Sequence, residues 1–196
     1  MKELRSIAVF CGSSEGNDNI VLSQAVKLGE TMALKGITLV YGGAKVGIMG
    51  RIAHAALNHR GKVIGVIPEF LKLKEVAHLG LHQLITTDNM HQRKLTMHEL
   101  ADGFIALPGG FGTLEELFEI ITWAQLGLHQ KPIGLLNSNG FFDDLIQLLE
   151  TMTMKGLLKF DNLSLLIVDS DIDRLLDKMT SFKPKTVPKW LKAERT

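Results

Sequence analysis

Cysteine is nearly absent: Cys11 is the one thiol in 196 residues. It cannot form an intrachain disulfide, and within an apolar run it reads as a small buried hydrophobe in a reducing compartment. Aromatic residues make up only 6% of the chain and the formal net charge is +1. That combination lacks both the stacking platforms and the basic field that single-stranded nucleic acid requires, and has nothing to draw it to an anionic membrane. No apolar run approaches membrane-spanning length, and no charged-then-apolar leader precedes the first predicted strand. These absences predict a soluble cytoplasmic protein with no nucleic-acid or membrane partner. The seven histidines are scattered without ligand spacing, so no metal is expected. His54 and His59 read as helix-surface or core residues.

What the chain does have is the stretch Pro108-Gly109-Gly110-Phe111-Gly112-Thr113-Leu114-Glu115-Glu116. It follows the apolar run Phe104–Leu107, a predicted buried strand, and leads into a periodic segment that reads as a helix. A strand, a glycine turn and a helix N-terminus together make an anion site from backbone N–H groups. The glycines remove side-chain bulk, and Thr113 adds a hydroxyl at the predicted N-cap. Glu115 and Glu116 then fall in the predicted first turn. Acids there also suit the helix dipole, and Thr113 with Glu116 is a capping box. Capping alone, however, has no need of the preceding Gly-Gly-x-Gly.

Short, wholly apolar strands alternate with helical periodicities along the rest of the chain. Strands are predicted at Ile7–Cys11, Ile37–Tyr41, Val63–Ile67, Leu84–Thr86, Phe104–Leu107, Ile133–Leu136 and Leu165–Val168. Helices are predicted at Asn19–Leu34, Gly47–Asn58, Met90–Leu100, Leu114–Leu126, Phe141–Met154 and Ile172–Met179, with a loop over Glu69–Gly80. Strands without polar alternation imply a parallel sheet covered on both faces. The expected fold is α/β, a Rossmann-like doubly wound sheet of about seven strands. Residues 1–181 form one nucleotide-binding domain and 182–196 a tail. Ligands in such folds bind beyond the carboxyl ends of the strands, and the glycine turns after the first, second and fifth strands all gather there.

The dinucleotide signature is missing. The first strand is followed by Gly12-Ser13-Ser14-Glu15-Gly16 rather than G-x-G-x-x-G, and no acid ends the second strand. A second cluster, Met90-His91-Gln92-Arg93-Lys94, places two cations near a helix start capped by Asp88 or Asn89. The dipole disfavours cations there, so they are either solvated or facing an anion. Arginine's planar fork suits phosphate or carboxylate.

These segments resemble the LONELY GUY (LOG) family, the cytokinin riboside 5′-monophosphate phosphoribohydrolases often mislabelled lysine decarboxylases. The resemblance rests on P-G-G-x-G-T-x-x-E at Pro108–Glu116 and M-H-x-R-K at Met90–Lys94. It rests also on Cys11-Gly12-Ser13, on the glycine segment from Tyr41 to Gly50, and on Ile121–Gly127, in family order. Ala44 departs from the third glycine of many plant members. The resemblance implies hydrolysis of the N-glycosidic bond of adenine-type nucleoside 5′-monophosphates, without cofactor, to free base and ribose 5-phosphate. It makes Arg93 and Glu116 the catalytic pair, with Glu115 the alternative acid. It assigns Ser13, Gly43, Met90, Lys94, Gly109, Gly110, Phe111, Gly112, Thr113, Leu114, Glu115 and Thr122 to the nucleotide site, and Glu75 to the base side. A carboxylate beside C1′ also makes physical sense, because base departure leaves an oxocarbenium-like sugar.

A homodimer is the family expectation. The Met90–Leu100 and Leu114–Leu126 helices carry more apolar residues than one sheet-facing stripe requires, leaving a surplus for a second subunit. Two other functions compete. A carrier of a phosphorylated ligand, such as molybdenum cofactor, would not call for the Arg93–Glu116 pair. A pyridoxal-phosphate decarboxylase would need a Schiff-base lysine, and no sequence context supports Lys45 or Lys94 in that role.

Overall fold

The computed structural model describes residues 3–72 and 77–183. The described residues contain seven strands: β1 (Ser6–Phe10), β2 (Thr38–Tyr41), β3 (Val63–Pro68), β4 (Gln83–Thr87), β5 (Gly103–Ala106), β6 (Ile133–Leu136) and β7 (Leu166–Asp169). All pair in parallel, in the order β4-β3-β2-β1-β5-β6-β7. The helices are α1 (Asn19–Leu34), α2 (Gly47–Asn58), α3 (Met90–Leu100), α4 (Phe111–Gln125), α5 (Asp143–Met154), α6 (Phe160–Leu163) and α7 (Ile172–Thr180).

Strand alternation divides the core in two. Ile7 and Val9 of β1 join the layer built with α1, α2 and α7, while Ala8 and Phe10 join the layer built with α3, α4 and α5. Both faces of β1 are fully covered, which is why its sequence shows no polar alternation. No helix among the described residues is long and apolar enough to cross a membrane.

The central pairing is β1 with β5, with Ile7 opposite Gly103. Asp102 pins it: its backbone N–H donates to the Ser6 carbonyl at 2.8 Å, and its carboxylate accepts from the Arg5 N–H at 3.1 Å. Chain order reverses at this pair, because β2 to β4 run outward on one side and β6 and β7 on the other. A crevice at the carboxyl ends of β1 and β5 is therefore the site this topology provides. α3 leaves the edge strand β4 and packs over β3, β2 and β1 before the chain enters β5.

Most strands and two helix ends shift from the sequence expectation by one residue, and three differences are larger. α4 starts at Phe111 with Gly110 as its N-cap and no side-chain cap, so Thr113 lies inside the first turn and no capping box forms. Glu115 and Glu116 accordingly fall in the second turn. α5 starts at Asp143, not Phe141, because Asn139 (φ 50°) and Gly140 (φ 70°) turn the chain just before it. The four-residue α6 was not expected; it is too short to carry a periodicity. Most of the predicted tail, from residue 184, lies outside the described residues.

Candidate active site

The loop after β1 and the loop after β5 are tied at their bases. The Leu107 N–H donates to the Phe10 carbonyl at 2.9 Å and the Gly12 N–H to the Pro108 carbonyl at 3.1 Å. Between them and the starts of α3 and α4 lies a cleft of about 280 Å³. Ser13, Met90 and Arg93 line one part of it, and Gly110, Phe111, Gly112, Thr113, Glu115 and Glu116 another.

The glycines of the 108–116 stretch are not equivalent. A Cβ on Gly109 would collide with the Thr113 hydroxyl, so the buried Thr113 packs there only against glycine. Gly110 and Gly112 have open space where a side chain would be. Nothing among the described residues requires their bareness, whereas a ligand approaching the first turn of α4 would. Backbone N–H groups of a first turn have no intrahelical acceptor and point out of the helix end.

Asn89 is the N-cap of α3, its side chain accepting from the Gln92 N–H at 2.9 Å; Gln92 Oε1 in turn accepts from the Asp88 N–H at 3.0 Å. This cap brings Arg93 against the backbone of Gly42, where a Cβ would overlap the guanidinium. The Arg93 side chain is only 7% exposed and its Nη2 lies 3.7 Å from Glu116 Oε1, whose side chain is 10% exposed. That is an ion pair at a separation longer than a hydrogen bond. Arg93 Nε is buried with no hydrogen-bond partner among the described residues. Among the described residues its Nη1 reaches only the Met90 sulfur, at 3.7 Å. A buried guanidinium with idle donors on a cleft wall is a group awaiting an acceptor.

Lys94 does not line the cleft. Its Nζ lies 2.5 Å from Glu115 Oε1 and 2.9 Å from Glu119 Oε1, joining α3 to α4. Gly43 is also displaced from the cleft wall: it packs against Ile67 and Leu84, and its carbonyl accepts from the His78 N–H. Its neighbour Gly42 takes the wall position. Thr122 is exposed well down α4, its hydroxyl donating to the Phe118 carbonyl at 2.7 Å. Leu114 packs onto the core layer beneath α4. Gly109 faces a neighbouring cavity of about 460 Å³ that shares Gly12, Ser13 and Gly110 with the cleft and is also lined by Val21 and Phe141. Glu75 lies outside the described residues.

Sequence reasoning missed Cys11, Met49 and Leu71, which line the cleft with Gly42. The Cys11 thiol is pushed far above its ordinary pKa by burial, then by the Glu116 carboxylate, with Arg93 opposing. It is a wall group and not a nucleophile. No lysine among the described residues lines the cleft. Among the described residues no group of three His, Cys, Asp or Glu side chains is placed to hold a metal.

A family model described as possible lysine decarboxylase matches residues 49–179. The cytokinin riboside 5′-monophosphate phosphoribohydrolase LOG of Oryza sativa subsp. japonica is 42% identical over 181 residues, which is 92% of this chain and 75% of that one. The cytokinin riboside 5′-monophosphate phosphoribohydrolase of Rhodococcoides fascians is 46% identical over 170 residues, 86% of each chain. Among solved structures, the molybdenum cofactor binding protein of Rippkaea orientalis superposes with a TM-score of 0.66 at 23% identity, over 92% of this chain and 98% of that one. At that identity the likeness shows the fold alone.

Proposed function

The chain belongs to the LOG family of phosphoribohydrolases, and from that premise we propose that it hydrolyses adenine-type nucleoside 5′-monophosphates at the N-glycosidic bond. The observation that supports this most directly is Arg93, buried with idle donors and facing Glu116 across the cleft. The 5′-phosphate sits on the N–H groups that open α4, over the bare Gly110 and Gly112. Arg93 holds ribose or phosphate oxygens, and Met49, Leu71 and Met90 give the base an apolar wall.

In the reaction the C1′–N bond breaks and its electron pair leaves with the base, which takes up one proton. Glu116 lies against the developing positive charge at C1′ and O4′ and stabilises it electrostatically. Water adds its oxygen to C1′ and gives up a proton to Glu116, which passes it on to solvent, the source of the proton taken up by the base. One water is consumed, and free base and ribose 5-phosphate are released. A carrier would hold the same anion but has no use for a carboxylate facing it. A decarboxylase would need a lysine in the cleft wall, and Lys94 is committed to two glutamates.

The experiment is incubation with AMP and with adenosine at equal concentration, followed by detection of free adenine. Release from AMP with little from adenosine supports the reading, since the phosphate supplies the binding energy that positions C1′. AMP that binds without release of adenine supports a carrier. Similar kcat/KM for the two compounds removes the role given to the phosphate cradle. Parallel assays with N6-prenylated and other nucleoside monophosphates define the base preference.

We also propose a homodimer with α3 and α4 at its interface. Met97, Leu117 and Ile120 are used up within the chain, but Leu95 and Phe118 remain 48% and 38% exposed and Phe111 93% exposed. Phe111 of this set lines the cleft, and a twofold contact through the exposed apolar residues would bury them twice. Light scattering at micromolar concentration tests it; a mass of 21.6 kDa rejects the dimer.

A further inference from the structure

We propose that Lys94 is a positioning residue: a charge lock that holds Glu115 and Glu119 and leaves Glu116 as the carboxylate presented to C1′. The inference rests on the phosphoribohydrolase reading for its kinetic arm and on the ion-pair geometry for its structural arm.

Glu115 and Glu119 stand one turn apart on α4, a like-charge pair that by itself destabilises a helix. Between them lies the Lys94 ammonium, 2.5 Å from one and 2.9 Å from the other, on a side chain only 8% exposed. An ammonium buried to that degree is tolerated only when paired. Glu119 is itself largely buried at 21% exposure, and its Oε2 has no hydrogen-bond partner among the described residues. Lys94 is thus the partner that accounts for a carboxylate at that depth.

The consequence reaches the cleft through Glu115. Both Glu115 and Glu116 line it, yet only Glu116 is paired with Arg93; Glu115 is turned onto Lys94. Take Lys94 away and three carboxylates on α4 are left with Arg93 as the nearby cation, beside a cleft that must receive a phosphate. Glu115 would then compete with Glu116 for the guanidinium, and the extra negative charge would oppose the incoming anion. Lys94 does this without touching the ligand, because it lies outside the cleft wall.

The test compares Lys94→Met, Lys94→Arg and the triple variant Lys94→Met/Glu115→Gln/Glu119→Gln with the wild type. For AMP hydrolysis, Lys94→Met should lose roughly tenfold or more in kcat, the range of coupling expected within one ion network. Lys94→Arg should restore part of it. The triple variant, which removes the charges that the lysine offsets, should recover most of the loss. A triple variant no better than Lys94→Met, above all one with a raised KM for AMP, overturns the lock and makes Lys94 a ligand or Glu115 the working acid. A second arm needs no turnover: thermal unfolding of Lys94→Met, Glu119→Gln and their double variant. The lock predicts a double variant with a higher Tm than the two single shifts add up to, and strict additivity overturns it. A wild type that binds AMP without hydrolysing it defeats the proposed reaction while the unfolding arm still decides the lock.

Discussion

Arg93 and Glu116 oppose one another at 3.7 Å from the beginnings of two different helices, α3 and α4. The gap is too wide for a direct hydrogen bond and both side chains are buried, so the pair is held apart by its scaffold. Asn89 fixes the start of α3 and Gly42 gives the guanidinium its bed. Thr113, seated on Gly109, fixes the start of α4.

Glu116→Gln keeps size and hydrogen-bonding capacity but removes the charge that faces the oxocarbenium. Comparable electrostatic contributions are worth ~2.7–4 kcal/mol, a loss of roughly 10² to 10³ in kcat. Binding of AMP, measured by calorimetry on the inactive variant, should survive. Near wild-type kcat would return the role to Glu115.

The two kinds of glycine should separate in mutagenesis. Gly109→Ala forces a Cβ onto the Thr113 hydroxyl and should lower Tm together with activity. Gly112→Ala meets nothing among the described residues, so its Tm should hold or rise, helix propensity favouring alanine by at most about 1 kcal/mol. Its KM for AMP should nonetheless increase, because the new methyl enters the space left for the phosphate. Equal loss of Tm in both variants would contradict this division.

A pair of histidines, His129 buried and His98 partly so, should make the fold sensitive to acid. His98 and His129 have ring centroids 5.1 Å apart, and both pKa values are lowered to about 4. Burial is the main cause for each; the Lys131 ammonium and the neighbouring ring add to it for His98, and for His129 Lys131 adds to it while a hydrogen bond to the Ile120 carbonyl opposes it. An unfolded histidine titrates near 6.5. Between about pH 6.5 and 4 the unfolded chain therefore binds protons that the folded chain refuses. Stability is fully present above that window and is lost as pH falls through it, at about 1.4 kcal/mol for each unit of displacement. Urea midpoints at pH 7 and 4.5 should differ by less in a His98→Leu/His129→Gln variant than in the wild type; an unchanged difference assigns the acid sensitivity elsewhere.

Tyr41 offers a stabilising change. Its ring is fully buried and its hydroxyl has no hydrogen-bond partner among the described residues. A buried unsatisfied polar group costs ~1–3 kcal/mol. Tyr41→Phe should raise Tm or leave it unchanged, as measured by calorimetry, and a fall of several degrees would reveal a partner for the hydroxyl.

The sheet was legible because its strands are unbroken apolar runs such as Val63–Pro68, and such runs leave little choice of architecture. The start of α4 was not, because Gly-Phe-Gly-Thr has poor helix propensity and Gly110 caps without a side chain. The family resemblance singles out Arg93 and Glu116, but their separation depends on how α3 crosses four strands. The resemblance puts Lys94 with the nucleotide, and the structure sets its ammonium between Glu115 and Glu119. The signal was present: Glu115 and Glu119, one turn apart, call for a cation between them. Gly42 and Gly43 are adjacent and identical, and only the path of the chain after β2 decides which one faces the cleft.

The pairing of β1 with β5 also sets a timetable for synthesis. On the ribosome, β1 and the loop that follows it emerge when β5 is still some ninety residues away. Until Asp102 arrives to grip Ser6 and Arg5, one edge of the innermost strand stays open and half of the cleft has not been translated. Such long-range closure is slow and leaves the nascent sheet edge exposed to unwanted pairing. A nucleotide cannot assist before α4 has formed, so the first half of this protein must wait, unliganded, for its own middle.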